Sequence, residues 1–363
     1  ARQRWFSGKA RRPLTCRLLD WGELKKGPGS VFLVLVSVDT AGGGSDRYVV
    51  PLSVAQGAAA DALFQNNPGA IVARFGPLDD HSILYDSARD EAAGVFLLDA
   101  MEAGTEMKTK YGLLKGFTTP LYKMVLRDTD KPFKVAMGSA EQSNTSLHYG
   151  ERFILKIFRR MGFGVNPEME MGLALSSPPV FNNIPKTVGG LDYLRKGEET
   201  STLGIMHERM ENQGSGWNHA LAELGRFFER VVARGDEPPP ADYLRRSVVA
   251  LTEVEPPPIA AELLGGYLKA AATLGRRTAE MHLALASRMN APDFTPEPLT
   301  SADLATYAQS MRDSAGKTLR TLESMLNRLP ETARDQAHRI LSERTRLLDR
   351  LKAPKTGELP SGK

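Results

Sequence analysis

The chain has 363 residues, 41% hydrophobic and 25% charged, an ordinary globular composition with room for two or three compact units. Its 47 Lys and Arg against 43 Asp and Glu leave a net charge of +4 with the signs interspersed, too weak a bias for a nucleic-acid binder. One cysteine, Cys16, excludes an intramolecular disulfide framework and a Cys-rich zinc site, and the longest apolar run, VFLVLVSV at 31–38, is far short of the ~20 residues of a membrane span.

The opening ARQRWFSGKARR is charged and lacks the apolar stretch of a signal peptide; a lone Cys fits a reducing, cytoplasmic compartment. The chain begins without Met, so it is expected to be part of something longer. Residues 1–130 read as a mixed unit of strands and helix. VFLVLVSVD (31–39) is a β-branched run that ends at the turn AGGGSD, and RYVVPLSVA (47–55) is its partner. AIVARFG (70–76) and HSILYDS (81–87) form a second strand pair. DEAAGVFLLDAMEA (90–103) opens on acids and sets Val95, Leu98 and Met101 at helical spacing.

Residues 131–210 read as a second unit. FKVAMG (133–138) is a short strand. SLHYGERFILKIF (146–158) is a hairpin turning at Tyr149-Gly150-Glu151. Asn166-Pro167-Glu168 is a helix start, Asn as cap and Pro at the first position, and the helix stops before Pro178-Pro179. Strands at 186–196 and 201–210 flank GEET. Beyond Met210 the period changes from two to 3.6, so 211–363 is read as helical. Trp217, Leu221, Leu224, Phe228 and Val231 mark one amphipathic face. The PPP runs at 238–240 and 256–258 are read as linkers, and 259–289 as one long helix. Thr300-Ser301-Ala302-Asp303 is a capping box. Its helix and a third, separated by Pro330, are expected to form an antiparallel hairpin. The tail APKTGELPSGK is read as loose.

Chemistry concentrates in AEQSNTSLHYGERFILKIF. A small polar loop precedes a strand with one lysine, Lys156, in an apolar run, and a helix bearing Glu168 and Glu170 follows. A lysine in an apolar strand is costly to bury unless an acid pairs with it. The loop QSNTS offers hydroxyls, an amide and backbone N–H groups suited to phosphate oxygens. This is the arrangement of a kinase small lobe. The bland reading stands beside it: strand alternation also permits Lys156 a solvated face, and Ser/Asn/Thr clusters are commonly plain turns. Neither G-x-G-x-x-G nor G-x-x-x-x-G-K-[ST] occurs.

RQRWFSGKAR, EQSNTSLHYGERFILKIFRR, ERMENQGSGWNHALAEL (208–224) and LGRRTAEMHLALA (274–286), in that order, resemble bacterial maltokinases, ATP-dependent sugar kinases of the aminoglycoside-phosphotransferase-like superfamily. The resemblance implies an α+β fold. Its parts would be an N-terminal cap, a curved antiparallel sheet with a helix (1–130); a kinase-like small-lobe antiparallel sheet with one helix (131–210); and the first long helices of the C-terminal lobe (211–363). It implies that Gln142, Ser143, Asn144, Thr145 and Ser146 form the phosphate loop and that Lys156 is the nucleotide lysine. Glu168 or Glu170 would be its anchor, with His207, Glu208 and Met210 in the hinge that meets adenine. It further implies ATP and Mg²⁺ as cofactors, maltose as acceptor and maltose 1-phosphate as product, within α-glucan and trehalose metabolism. A trehalose synthase domain or subunit would be the partner, with no nucleic acid and no membrane involved. The superfamily's H-G-D and D-F-E motifs do not occur, and none of the six histidines is followed by Gly-Asp. The catalytic residues and metal ligands are therefore expected beyond Lys363, and this chain alone is expected to be inactive. The alternatives are another small-molecule kinase of the superfamily, or a non-catalytic interaction module associated with trehalose synthase.

Four other features invite a reading. His282 has no second ligand at position 286 and is expected to be a packed, hydrogen-bonded histidine. Trp5 and Phe6, among Arg4, Lys9, Arg11 and Arg12, are expected to pack on the cap. The Arg-rich stretch 334–352 reads as a solvated face, and Cys16 as a small buried residue.

Overall fold

The computed structural model describes residues 3, 5–6, 12–27, 29–41, 43–77, 82–127, 131–138, 143–178, 181–235, 248–288 and 291–352. The chain divides into two compact units, Ala1–Leu285 and Ala286–Lys363. The fold is α+β, with antiparallel sheets first and helices after them.

The first sheet is a meander of β1 (Pro13–Lys25), β2 (Val31–Thr40) and β3 (Ser45–Gln56). After α1 (Gly57–Asn66), the hairpin β4 (Ile71–Phe75) and β5 (Ser82–Asp86) completes the order β1-β2-β3-β5-β4. Both expected strand pairs form, with Val34 opposite Val50 and Leu84 opposite Ala73. Helix α2 (Glu91–Glu102) follows, its N-terminus capped by the Asp90 carboxylate accepting from the Ala93 N–H at 3.1 Å.

The second sheet has the order β6-β7-β12-β13-β10-β9-β8. In chain order this region holds β6 (Glu106–Lys108), β7 (Gly112–Thr118), α3 (Pro120–Val125), β8 (Val135–Met137), β9 (Asn144–Tyr149), β10 (Phe153–Phe158), β11 (Arg160–Met161), α4 (Pro167–Ser176), β12 (Thr187–Arg195) and β13 (Ser201–Glu208). Strand β11 leaves this path and pairs with β3 of the first sheet. The strands at 106–118 precede residue 130 in sequence yet belong to the second sheet, paired through β7 to β12.

One hydrophobic core joins the sheets. Leu33, Leu35 and Val49 of the first, Leu97, Leu98 and Met101 of α2, and Leu147, Phe153, Leu155, Leu191 and Leu203 of the second form a single buried cluster. Alternation along β2 explains the inward set, since residues two apart share a face. Two polar ties reinforce the contact. Asp20 of β1, 1% exposed, accepts from the Trp21 and Tyr111 N–H groups at 2.7 and 3.0 Å and from the Thr109 and Tyr193 hydroxyls. Burial, then the Asp20 hydrogen bond, pushes the Tyr193 phenol up, so it stays a donor. Arg159, directly after β10, is fully buried and donates to the Asp86 carboxylate. Its guanidinium also lies 4.7 Å from the Trp5 ring centroid. Phe6 is buried beside Tyr48, as expected of the N-terminal aromatics.

The remaining helices of this unit are α5 (Gly216–Arg234), α6 (Val248–Leu251), α7 (Pro258–Leu264) and α8 (Tyr267–Ala286). The expected long helix 259–289 is broken in two. Gly265 adopts φ +54°, a left-handed conformation that ends α7, and α8 begins two residues later. The apolar face of α5 is largely exposed, Trp217 at 73%.

In the second unit, α9 (Ser301–Met325) starts at a complete capping box in which the Thr300 hydroxyl and Asp303 carboxylate each accept from the other's backbone N–H. Helices α10 (Glu331–Ser342) and α11 (Arg344–Asp349) run back along it. Arg344 meets Glu323 at 3.5 Å and Arg312 meets Asp349 at 4.0 Å, the reversed order of an antiparallel hairpin. Among the described residues no helix is long and apolar enough to cross a membrane.

Two expectations are corrected. Cys16 is exposed, because it lies on the outer half of β1, an edge strand whose residues 13–18 have neighbours on one side. His282 is also exposed, on a helix, α8, that buries none of its described residues. The linker at 238–240 and the tail at 353–363 lie outside the described residues.

Candidate functional site

Strand β10 sits between β9 and β13, and its register sets the site. Lys156 is opposite Ser146 on one side and Ile205 on the other; Ile154 is opposite His207; Phe158 is opposite Asn144. Directly paired residues share a sheet face. Lys156, Ser146, Asn144 and His207 therefore occupy one face, and Thr145, opposite Ile157, points to the other, into the core.

Helix α4 covers that face. Asn166 caps it, its Oδ1 accepting from the Glu168 N–H at 2.8 Å, with Pro167 at the first position. Met169 packs on Phe158 and Ile205, which fixes the rotation of the first turn. Two glycines permit this seat. A Cβ on Gly172 would lie 2.4 Å from Thr187 Oγ1, and one on Gly190 would lie 2.3 Å from Met169 Cε.

The outcome is an ion pair. Lys156 Nζ lies 2.8 Å from Glu168 Oε2 and 3.2 Å from Oε1, with 21% of the Lys156 side chain exposed. His207 Nε2 approaches the same carboxylate, 3.5 Å from Oε1, and the Thr187 hydroxyl contacts His207 Nδ1 at 3.4 Å. Together the His207 contact and the Lys156 ammonium outweigh partial burial and hold the Glu168 carboxyl down at about 2. Glu170, also in the first turn, makes no ion pair among the described residues, so the sequence's open choice between the two acids falls on Glu168.

Of the expected phosphate loop, Gln142 lies outside the described residues. Ser143 is an exposed bend, and Asn144, Thr145 and Ser146 are already strand residues of β9. Glu208 ends β13 and pairs with Lys186 at 3.3 Å. With Met210, Phe181, Asn182, Ile184 and Ser176 they line a pocket of about 120 Å³. The structure thus gathers Lys156, Glu168, His207, Asn144 and Ser146 on one face and places Glu208 at the end of β13 and Met210 just beyond it. Sequence reading missed Thr187 and Lys186, which sit in the plain strand start KTVGG with no local signal. Among the described residues no group of three or more His, Cys, Asp and Glu side chains converges as a metal cage.

Residues 1–90 match the sequence model of the maltokinase N-terminal cap domain. That maltokinase cap match takes in β1 to β5 and ends at Asp90, the cap of α2. Among solved structures, the chain is similar to glucosamine kinase in complex with glucosamine, ADP and inorganic phosphate, with a TM-score of 0.43 and 19% identity over 94% of this chain and 61% of that one. It is also similar to glucosamine kinase in crystal form B, with a TM-score of 0.45 and 18% identity over 96% of this chain and 62% of that one. The chain spans about three fifths of the length of these kinases.

Proposed function

We propose that this chain carries the cap and nucleotide side of an ATP-dependent sugar kinase of the maltokinase type. The observation that carries the reading is the Lys156–Glu168 pair on the sheet face shared with Asn144 and Ser146, in a chain whose first 90 residues match a maltokinase cap. A lysine held by a helix acid presents a fixed positive charge to the α- and β-phosphates. Ser143, Asn144 and Ser146 flank it with hydroxyl and amide donors. Glu208 and Met210 take the hinge role beside the adenine, and residues 1–130, 131–210 and 211–363 serve as cap, small lobe and first helices of the second lobe.

ATP supplies the phosphoryl group, and the acceptor is the anomeric hydroxyl of maltose, giving maltose 1-phosphate for α-glucan synthesis in the cytoplasm, with trehalose synthase as the associated unit. Phosphoryl transfer is chiefly positioning and charge stabilisation. The described residues supply the positioning of the nucleotide. They do not supply a carboxylate set for Mg²⁺. Because H-G-D and D-F-E are absent, this chain by itself is expected to give no turnover.

The test is a coupled ADP-release assay with ATP, Mg²⁺ and a sugar panel headed by maltose, run on residues 1–363 and on the full protein that contains them. Maltose-dependent ADP release by the full protein alone is expected. No sugar-dependent release by the full protein would overturn the proposal, and turnover by 1–363 would move the catalytic carboxylate into this chain.

A further inference from the structure

We infer that His207 is a positioning residue that holds Glu168, and through it Lys156, instead of contacting the adenine base. This rests on reading Lys156 as the nucleotide lysine. The side chain of His207 lies on the α4 face of β13, in register with Ile154, two residue pairs along from Lys156 and so on the same face. Its Nε2 is 3.5 Å from Glu168 Oε1, and its Nδ1 is 3.4 Å from the Thr187 hydroxyl. The Thr187 hydroxyl can donate to Nδ1, which leaves the imidazole hydrogen on Nε2, aimed at the carboxylate.

Glu168 needs such a second donor. Its side chain is 40% exposed, and an ion pair at that exposure is weak on its own, because two long side chains must be ordered to make it. Lys156 reaches Glu168 from β10, His207 reaches it from β13, and Asn166 fixes the backbone of the same residue at the helix start. The carboxylate is thereby tied to two strands and its own helix. Lys156 then keeps one position when a nucleotide arrives, and less ordering remains to be done on binding. Gly172 makes the relay possible, since a side chain there would strike Thr187 Oγ1.

Four variants of the full kinase separate the possibilities. Lys156→Met should raise the ATP KM strongly. His207→Leu should raise it roughly three- to tenfold, as expected for loss of one charge-assisted contact, with the sugar KM unchanged. His207→Gln, whose side-chain amide can replace the Nε2 hydrogen, should recover most of that loss, and Thr187→Val should show a smaller effect in the same direction. The ratio of ATP to GTP KM should be the same in all four. A changed ratio in His207→Leu would make it a base contact and overturn the inference, as would a silent His207→Leu beside a damaging Lys156→Met. A silent Lys156→Met would instead remove the nucleotide reading. The seat itself is then decided on residues 1–363 by NMR. Nitrogen-15 shifts should show His207 protonated at Nε2, and the Glu168 carboxyl carbon should shift in His207→Leu; an unmoved Glu168 signal refutes the inference.

Discussion

Arg159, three residues beyond Lys156, is fully buried and donates its guanidinium to the Asp86 carboxylate at the end of β5. The strand that carries Lys156 is therefore anchored in the first sheet at its exit. A guanidinium at 0% exposure survives only with its charge answered, and Asp86, itself buried, answers it. The Val49 carbonyl and the Trp5 ring complete the enclosure.

Removing one partner of this pair should be far worse than removing both. Asp86→Ala strands a buried cation and should cost about 3–5 kcal/mol of unfolding free energy. Asp86→Leu combined with Arg159→Met should cost much less, because no charge is left without a partner. Urea unfolding followed by Trp fluorescence measures both; equal losses would show that the pair's charge is not what matters.

If the proposed kinase function holds, the two first-turn acids should separate in the full protein. Glu168→Gln should raise the ATP KM by roughly tenfold, since the amide no longer balances the Lys156 charge. Glu170→Gln should leave it within about twofold, as expected of a half-buried acid that makes no ion pair among the described residues. Lys156→Met should raise KM and lower kcat together. Steady-state kinetics with ATP as the varied substrate decides among them, and the reverse order of the two acids would refute the assignment.

The acid limit of the site follows from Glu168. Its carboxyl is held at about 2 against an ordinary value of 4.5, with His207 the largest cause and Lys156 next. A depressed carboxylate stabilises the folded state above its unfolded-state value and loses that contribution as pH falls toward its folded value. The pair should therefore stay intact at pH 4 and be half open near pH 2. A carbon-13 titration of the Glu168 carboxyl reads this directly, and a midpoint near 4.5 would show the pair absent in solution.

Gly172→Ala should loosen α4. Its Cβ would have to fit 2.4 Å from Thr187 Oγ1, and such overpacking costs about 1–3 kcal/mol. Gly225→Ala, in open space on α5, should instead gain about 0.5–1 kcal/mol from helix propensity alone. Thermal melts of the two variants should move in opposite directions.

Much of this protein is local in origin and was legible from residues close together in the chain. The period-two runs at 31–39 and 47–55, the hairpin around Gly150, the Asn166-Pro167 helix start and the Thr300–Asp303 capping box all form as read, because each depends on neighbours within a few residues. The chemistry of Lys156 was legible too, as one charge in an apolar strand followed by a helix with acids in its first turn. The rest needed the tertiary structure. Strands β1 and β7 lack clean alternation, since one is an exposed edge and the other carries Gly112 and Gly116 where backbone and side chains press close; β1 pairs with its neighbour β2, whereas β7 pairs with β12 far along the chain. The choice of Glu168 over Glu170 depends on how α4 is rotated, which Met169 sets by packing on Phe158 and Ile205. Thr187 and His207 meet only because β12 and β13 pair in one register, and Arg159 finds Asp86 only when the two sheets close on a shared core. Propensity and capping act over a turn or two of chain; burial and ion pairing act across whatever distance the fold has closed.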